Sequence, residues 1–128
     1  MDRFLVISEV PKTRAYLEFA LNLMGIENSS ASCLTMAAIC LDRAEYSGVI
    51  LDLRWPSQTA PSMTDWMETH VQARGLRVIL TSQTPIACDL DSAFRLGTAV
   101  ILGRAFDFDD LVEAVGRRGS AIAPKLAG

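Results

Sequence analysis

Gly48-Val49-Ile50-Leu51-Asp52-Leu53-Arg54-Trp55-Pro56 is the stretch on which the reading of this chain turns. Apart from Asp52, its first six residues are apolar on both faces of an extended chain. A strand covered by helices on both sides of its sheet reads this way, whereas a half-exposed strand alternates. The only charge within the run, Asp52, stands near its carboxyl end, and Pro56 breaks the chain shortly afterwards. The segment therefore describes a central strand that delivers a carboxylate to the rim of a sheet.

Further short apolar runs lie on either side, each followed by a helical pattern. Strands are expected at Arg3 to Ile7, Ile26 to Ala31, Gly48 to Leu53, Arg77 to Thr81 and Thr98 to Leu102. The second is the weakest, because Asn28, Ser29 and Ser30 are poor strand formers. Helices are expected from Lys12 to Met24, from Leu34 to Ala44, from Ser62 to about Ala73, from Pro85 to Gly97, and from a cap at Asp107 to about Arg117. The first has Ala15, Leu17, Phe19, Ala20, Leu23 and Met24 as its apolar positions and Gly25 as its C-cap. Pro56 and Pro61 mark a loop before the third, which opens on a variant capping box, Ser62-x-x-Asp65. Strands alternating with helices make an α/β chain, a single doubly wound (βα)5 unit with a parallel sheet. That unit covers residues 1–119, and residues 120–128 form a C-terminal tail.

Composition narrows the function classes. A length of 128 residues, 50% hydrophobic and 21% charged, suits one packed domain and excludes a disordered chain. A net charge of −3 argues against a general nucleic-acid surface. Arg117-Arg118 falls where it would complement a helix C-terminus. The longest apolar runs, such as Phe4 to Ile7 and Ala99 to Leu102, fall far short of the ~20 residues that span a bilayer. The first is also too short for a secretion signal, so a cytoplasmic location and no membrane partner are expected. The cysteines, Cys33, Cys40 and Cys88, are odd in number and form no C-x-x-C, which fits reduced thiols; Cys33 and Cys40, seven apart, read as small core residues. The single histidine, His70, excludes a histidine-rich metal site and reads as a surface or boundary residue.

Ligands of open parallel sheets meet the carboxyl ends of the strands, at the point where strand order reverses. Here those ends carry Ser8 and Glu9, then Asp52, then Thr81, Ser82 and Gln83, and finally Arg104. An acid pair, hydroxyls and a cation thus converge on one rim from four strands.

The joint spacing of these residues resembles that of response-regulator receiver domains. Asp52 ends the third strand with Pro56 four positions on; Ser82 lies thirty positions downstream of Asp52, and Arg104 about fifty, followed by Ala105-Phe106. Pro11 follows Glu9 by two, and Ala93-Phe94-Arg95-Leu96-Gly97 leads into the fifth strand. The resemblance runs from Arg3 to about Val115. It implies a flavodoxin-like fold with a five-stranded sheet in the order 2-1-3-4-5. It further implies that Asp52 accepts a phosphoryl group from a histidine kinase or phosphotransfer protein, and that Mg²⁺ is held by Glu9, Asp52 and the Arg54 carbonyl. Ser82 would be the switch hydroxyl, and Arg104 would pair with the phosphate. A downstream effector protein would dock on the fourth helix, fifth strand and fifth helix, where charges such as Asp109, Asp110 and Arg117 allow a homodimer. By the same resemblance the chain is a signalling domain, at most catalysing its own phosphorylation and dephosphorylation.

Several positions depart from the family pattern. Ser8-Glu9 stands where two acids are usual, which removes one charge from the pocket and weakens Mg²⁺ binding. Arg104 replaces a lysine and is suited to a standing ion pair with Asp52 or Glu9. Gln83 replaces a small residue, Ile101 stands where an aromatic is common, and the loop after Pro56 has no glycine. These changes describe an atypical receiver. They leave a second reading open, a phosphorylation-independent pseudo-receiver acting as a protein-interaction module. A flavin- or nucleotide-binding domain is a third, but the turn Ser8 to Arg14 is not glycine-rich.

Overall fold

In the computed structural model, which describes residues 2–53, 60–82, 100–102, 107–116 and 123–125, one parallel sheet organises the chain. Its strands are β1 (Arg3–Ile7), β2 (Glu27–Ala31), β3 (Gly48–Leu53), β4 (Arg77–Ser82), β5 (Val100–Leu102) and β6 (Ala123–Lys125). They lie in the order β2-β1-β3-β4-β5-β6. The expected order 2-1-3-4-5 is present, and the stretch read as a tail adds a sixth strand, pairing in parallel with β5.

Four helices are described, α1 (Pro11–Leu23), α2 (Leu34–Arg43), α3 (Ala60–His70) and α4 (Phe108–Gly116). The strict alternation of strand side chains divides the core in two. Leu5, Ile7, Val49, Leu51, Val78 and Leu80 pack on one face with Ala37 and Leu41 of α2 and Met67 of α3. Phe4, Val6, Ile50 and Ile79 pack on the other with Leu17, Ala20 and Leu21 of α1 and with Leu111, Ala114 and Val115 of α4. β1 from Phe4 to Ile7 and β3 from Gly48 to Leu51 are apolar because both of their faces are covered. From β1 the chain first crosses to β2 on one side and then to β3 on the other, so the strand order reverses beside β1.

Local signals explain most boundaries. Pro11 opens α1, where its missing N–H costs nothing. Gly25, at φ 73°, closes it: the Gly25 N–H donates to the Asn22 carbonyl and the Ile26 N–H to the Leu21 carbonyl, each at 3.0 Å. Ile26 is thereby used in the cap, and β2 begins one residue later than expected. Asp107 and Asp110 cap α4 reciprocally, with the Asp110 N–H donating to Asp107 Oδ1 at 2.9 Å and the Asp107 N–H to Asp110 Oδ2 at 3.1 Å. At Gly48, a Cβ would sit 2.8 Å from a Phe4 ring carbon and 2.9 Å from the Arg77 carbonyl oxygen, so only glycine lets the three strands close there.

Other expectations are corrected. Phe19 and Leu23, read as core positions of α1, are each 61% exposed; the buried residues are Leu17, Ala20 and Leu21. α3 begins at Ala60, so Pro61 lies in its first turn rather than breaking the chain, and Ser62 stands inside the helix instead of capping it. It ends at His70, followed by a 3-10 turn at Gln72–Arg74. Cys33 is exposed rather than buried, while Cys40 packs against the core. His70 is a boundary residue, its ring centroid 5.2 Å from that of Trp66. The helix expected at Pro85 to Gly97, with Cys88, and the Arg117-Arg118 pair lie outside the described residues. Among the described residues no helix is long and apolar enough to cross a membrane.

Candidate functional site

Asp52 stands at the rim where the strand order reverses, one residue from the end of β3, and is 3% exposed. A carboxylate removed from water must be hydrogen-bonded. Both of its oxygens are. Strand register places Asp52 opposite Thr81 of β4, and the Thr81 hydroxyl donates to Asp52 Oδ1 at 2.7 Å. The Ser8 hydroxyl, immediately after β1, donates to Asp52 Oδ2 at 2.9 Å. Ser8 and Thr81 are themselves buried.

Ser8 is fixed from several directions. Its Oγ accepts the Val10 N–H at 3.1 Å, which leaves the hydroxyl proton directed at Asp52. Its N–H donates to the Ala31 carbonyl at 3.1 Å, continuing the β1–β2 ladder past the end of β1. Its carbonyl accepts Arg14 Nη1 at 2.7 Å, so the first turns of α1 reach back over the strand tip. Hydrogen bonds to a charged group contribute about 1.5–3 kcal/mol each. The two hydroxyls thus give each Asp52 oxygen a donor, and no cation is among its described partners.

The other candidate residues divide into three groups. Glu9 follows Ser8 at the rim and is exposed. Ser82 ends β4 in register with Leu53, one position beyond Thr81; among the described side chains the hydroxyl that β4 brings to Asp52 is that of Thr81. Arg54 and Arg104 lie outside the described residues, as do Trp55, Pro56, Gln83, Ala105 and Phe106. The sequence places Thr81 at the rim without giving it a role. The signal was the register: once Gly48 pairs with Arg77, Asp52 falls opposite Thr81. Ser8 read in the sequence as a lost charge, and the structure gives it a positive part as a donor to Asp52. Among the described residues no three His, Cys, Asp or Glu side chains converge as a ready-made metal cluster.

No family model and no curated relative matches the chain. Solved structures do. A response regulator receiver protein from Pseudomonas putida is 24% identical, with 89% of this chain and 94% of that one covered and a TM-score of 0.74. A chemotaxis protein, CheY4 of Vibrio cholerae, is 15% identical over 90% of this chain and 96% of that one, with a TM-score of 0.77. The receiver domain of a sensor histidine kinase from Pseudomonas aeruginosa PAO1, which has a magnesium ion coordinated in its active-site cleft, is 18% identical over 88% and 92%, with a TM-score of 0.71. The chain has the CheY-like, flavodoxin-type fold of receiver domains, along nearly its whole length.

Proposed function

We propose that the chain serves two-component signalling as a receiver-type domain, with Asp52 as the carboxylate that accepts a phosphoryl group, Thr81 as the hydroxyl that holds this carboxylate beforehand, and Ser82 as the switch hydroxyl that follows the phosphoryl group. One observation carries this reading: at the rim where strand order reverses, a carboxylate on a central strand meets a hydroxyl of the neighbouring strand at 2.7 Å. Such a domain signals by changing its partners; at most it catalyses its own phosphorylation and dephosphorylation. The donor is a histidine kinase or a phosphotransfer protein. The effector face comprises the fourth predicted helix, β5 and α4, where Phe108 and Val112 are exposed one turn apart, and a homodimer is one use of it. Ser82 and Arg104 remain assigned by resemblance to the switch and to phosphate pairing.

Mg²⁺ is the cation this chemistry uses. It prefers oxygen donors, carboxylates first. Asp52 and Glu9 are donors of that kind at one rim, so they fit the ion, and with the Arg54 carbonyl they would hold it. Bound there, the cation would offset the repulsion between the carboxylate and the incoming phosphoryl oxygens.

A second reading, a phosphorylation-independent interaction module, is favoured by a different observation. Ser8 already satisfies Asp52 Oδ2, and Asp52 is 97% buried, so the resting site is complete without a phosphoryl group. One assay separates the two readings. The chain is incubated with Mg²⁺ and a small-molecule phosphodonor, and its intact mass is measured. A gain of one phosphoryl group that Asp52→Asn abolishes supports the acceptor, and an unchanged mass leaves the interaction module.

A further inference from the structure

We infer that Ser8 sets how strongly this rim takes a divalent cation, because its hydroxyl and the cation compete for the same Asp52 oxygen. The inference rests on the reading of Asp52 as a carboxylate served by Mg²⁺.

The geometry is specific. Ser8 Oγ accepts the Val10 N–H at 3.1 Å and donates to Asp52 Oδ2 at 2.9 Å. A hydroxyl has one proton to give. With the Val10 N–H occupying one lone pair, that proton points at the carboxylate and presents a positive end to anything arriving at Oδ2. A cation that approaches this oxygen meets that positive end, and a hydroxyl turned away to admit it loses a bond to a charged acceptor. Ser8 and Asp52 are 2% and 3% exposed, so water is not at hand to replace that bond. Thr81 donates to the other oxygen, Oδ1, so Ser8 is the hydroxyl that guards Oδ2. Ser8 is thus a positioning residue: it keeps the carboxylate ordered and satisfied in the cation-free state, and it lowers what the carboxylate gains from a cation.

The test uses the whole chain and Mg²⁺ alone. Binding is followed by titration calorimetry at constant ionic strength, and by the rise in melting temperature that MgCl₂ gives over matched NaCl. Losing a hydrogen bond to a charged group is worth roughly a tenfold change in binding. Ser8→Ala therefore tightens Mg²⁺ binding by ~10-fold. Ser8→Asp, which adds a charge at the same place, tightens it at least as much, and Ser8→Thr, which keeps a hydroxyl, stays near the parent chain. A merely structural Ser8 would lower stability in Ser8→Ala without moving the affinity. The inference is overturned if Ser8→Ala binds Mg²⁺ no more tightly than the parent, or if Ser8→Thr tightens as much as Ser8→Ala. Where near-ultraviolet circular dichroism shows that Ser8→Ala does not fold, Ser8→Gly, which also lacks the hydroxyl, takes its place, and no gain overturns the claim. No phosphodonor enters these measurements. A chain that shows these shifts yet never gains a phosphoryl group refutes the acceptor reading and leaves the role of Ser8 standing.

Discussion

Thr81→Val removes one oxygen and changes little else in the shape of the side chain. Thr81 is 1% exposed, so no solvent takes over the lost bond, and Asp52 Oδ1 is left facing a methyl group where a hydroxyl donated at 2.7 Å. A hydrogen bond to a charged acceptor contributes about 1.5–3 kcal/mol. Taking about 2 kcal/mol, and a chain length between the small and medium domains for which melting shifts are known, the melting temperature falls by about 6–10 °C. Urea unfolding measures the same loss as a lower midpoint with an unchanged slope. Thr81→Ser keeps the donor and loses only a methyl group, so it is the milder change. The decisive measurement is a double-mutant cycle with Asp52→Ala. If the hydroxyl acts through the carboxylate, the two losses couple by at least ~1 kcal/mol. Purely additive losses would refute the claim that Thr81 matters through Asp52.

Three further outcomes follow from the fold. Gly48→Ala destabilises the chain by about 1–3 kcal/mol in urea unfolding, because the new Cβ meets the Phe4 ring at 2.8 Å and the Arg77 carbonyl at 2.9 Å. Asp107→Ala costs about 1 kcal/mol by the same measurement, since it removes one half of the reciprocal cap on α4, whereas Asp107→Asn retains most of it. Tyr16 ionises above its ordinary value of 10.0, chiefly through burial and then through Asp107 and Asp110. The folded chain therefore holds a proton that the unfolded chain has released, and stability present below pH 10 is lost as pH climbs beyond it. Tyr16→Phe removes that part of the alkaline fall, as melting temperatures between pH 9 and pH 11.5 will show; an unchanged fall would count against the assignment.

β1 and β3 were legible residue for residue, because strands buried on both faces leave an unbroken apolar signature. β2 carries Asn28, Ser29 and Ser30, and forms by pairing with β1 rather than by propensity. The apolar face of α1 was read too broadly: Phe19 and Leu23 have core composition, yet the helix turns Leu17, Ala20 and Leu21 inward. Pro61 looked like a stop signal, although a first helical turn tolerates proline. At the site, Asp52 was identified from its position at the end of an apolar run. Ser8 and Thr81 were legible only as rim residues: that Thr81 faces Asp52 is set by a register that spacing does not define, and Ser8 is neutral in a place where charge was sought.

The strand contributed by Ala123–Lys125 changes what lies at that margin of the molecule. With β6 alongside, the Val100–Leu102 backbone has a neighbour on each flank, β4 and β6. Among the described strands the outermost on this side is β6, with Pro124 at its centre, a residue with no amide hydrogen to offer a visiting polypeptide. Sheet-to-sheet growth into fibrils is discouraged there, since a central proline blunts the edge that β6 presents.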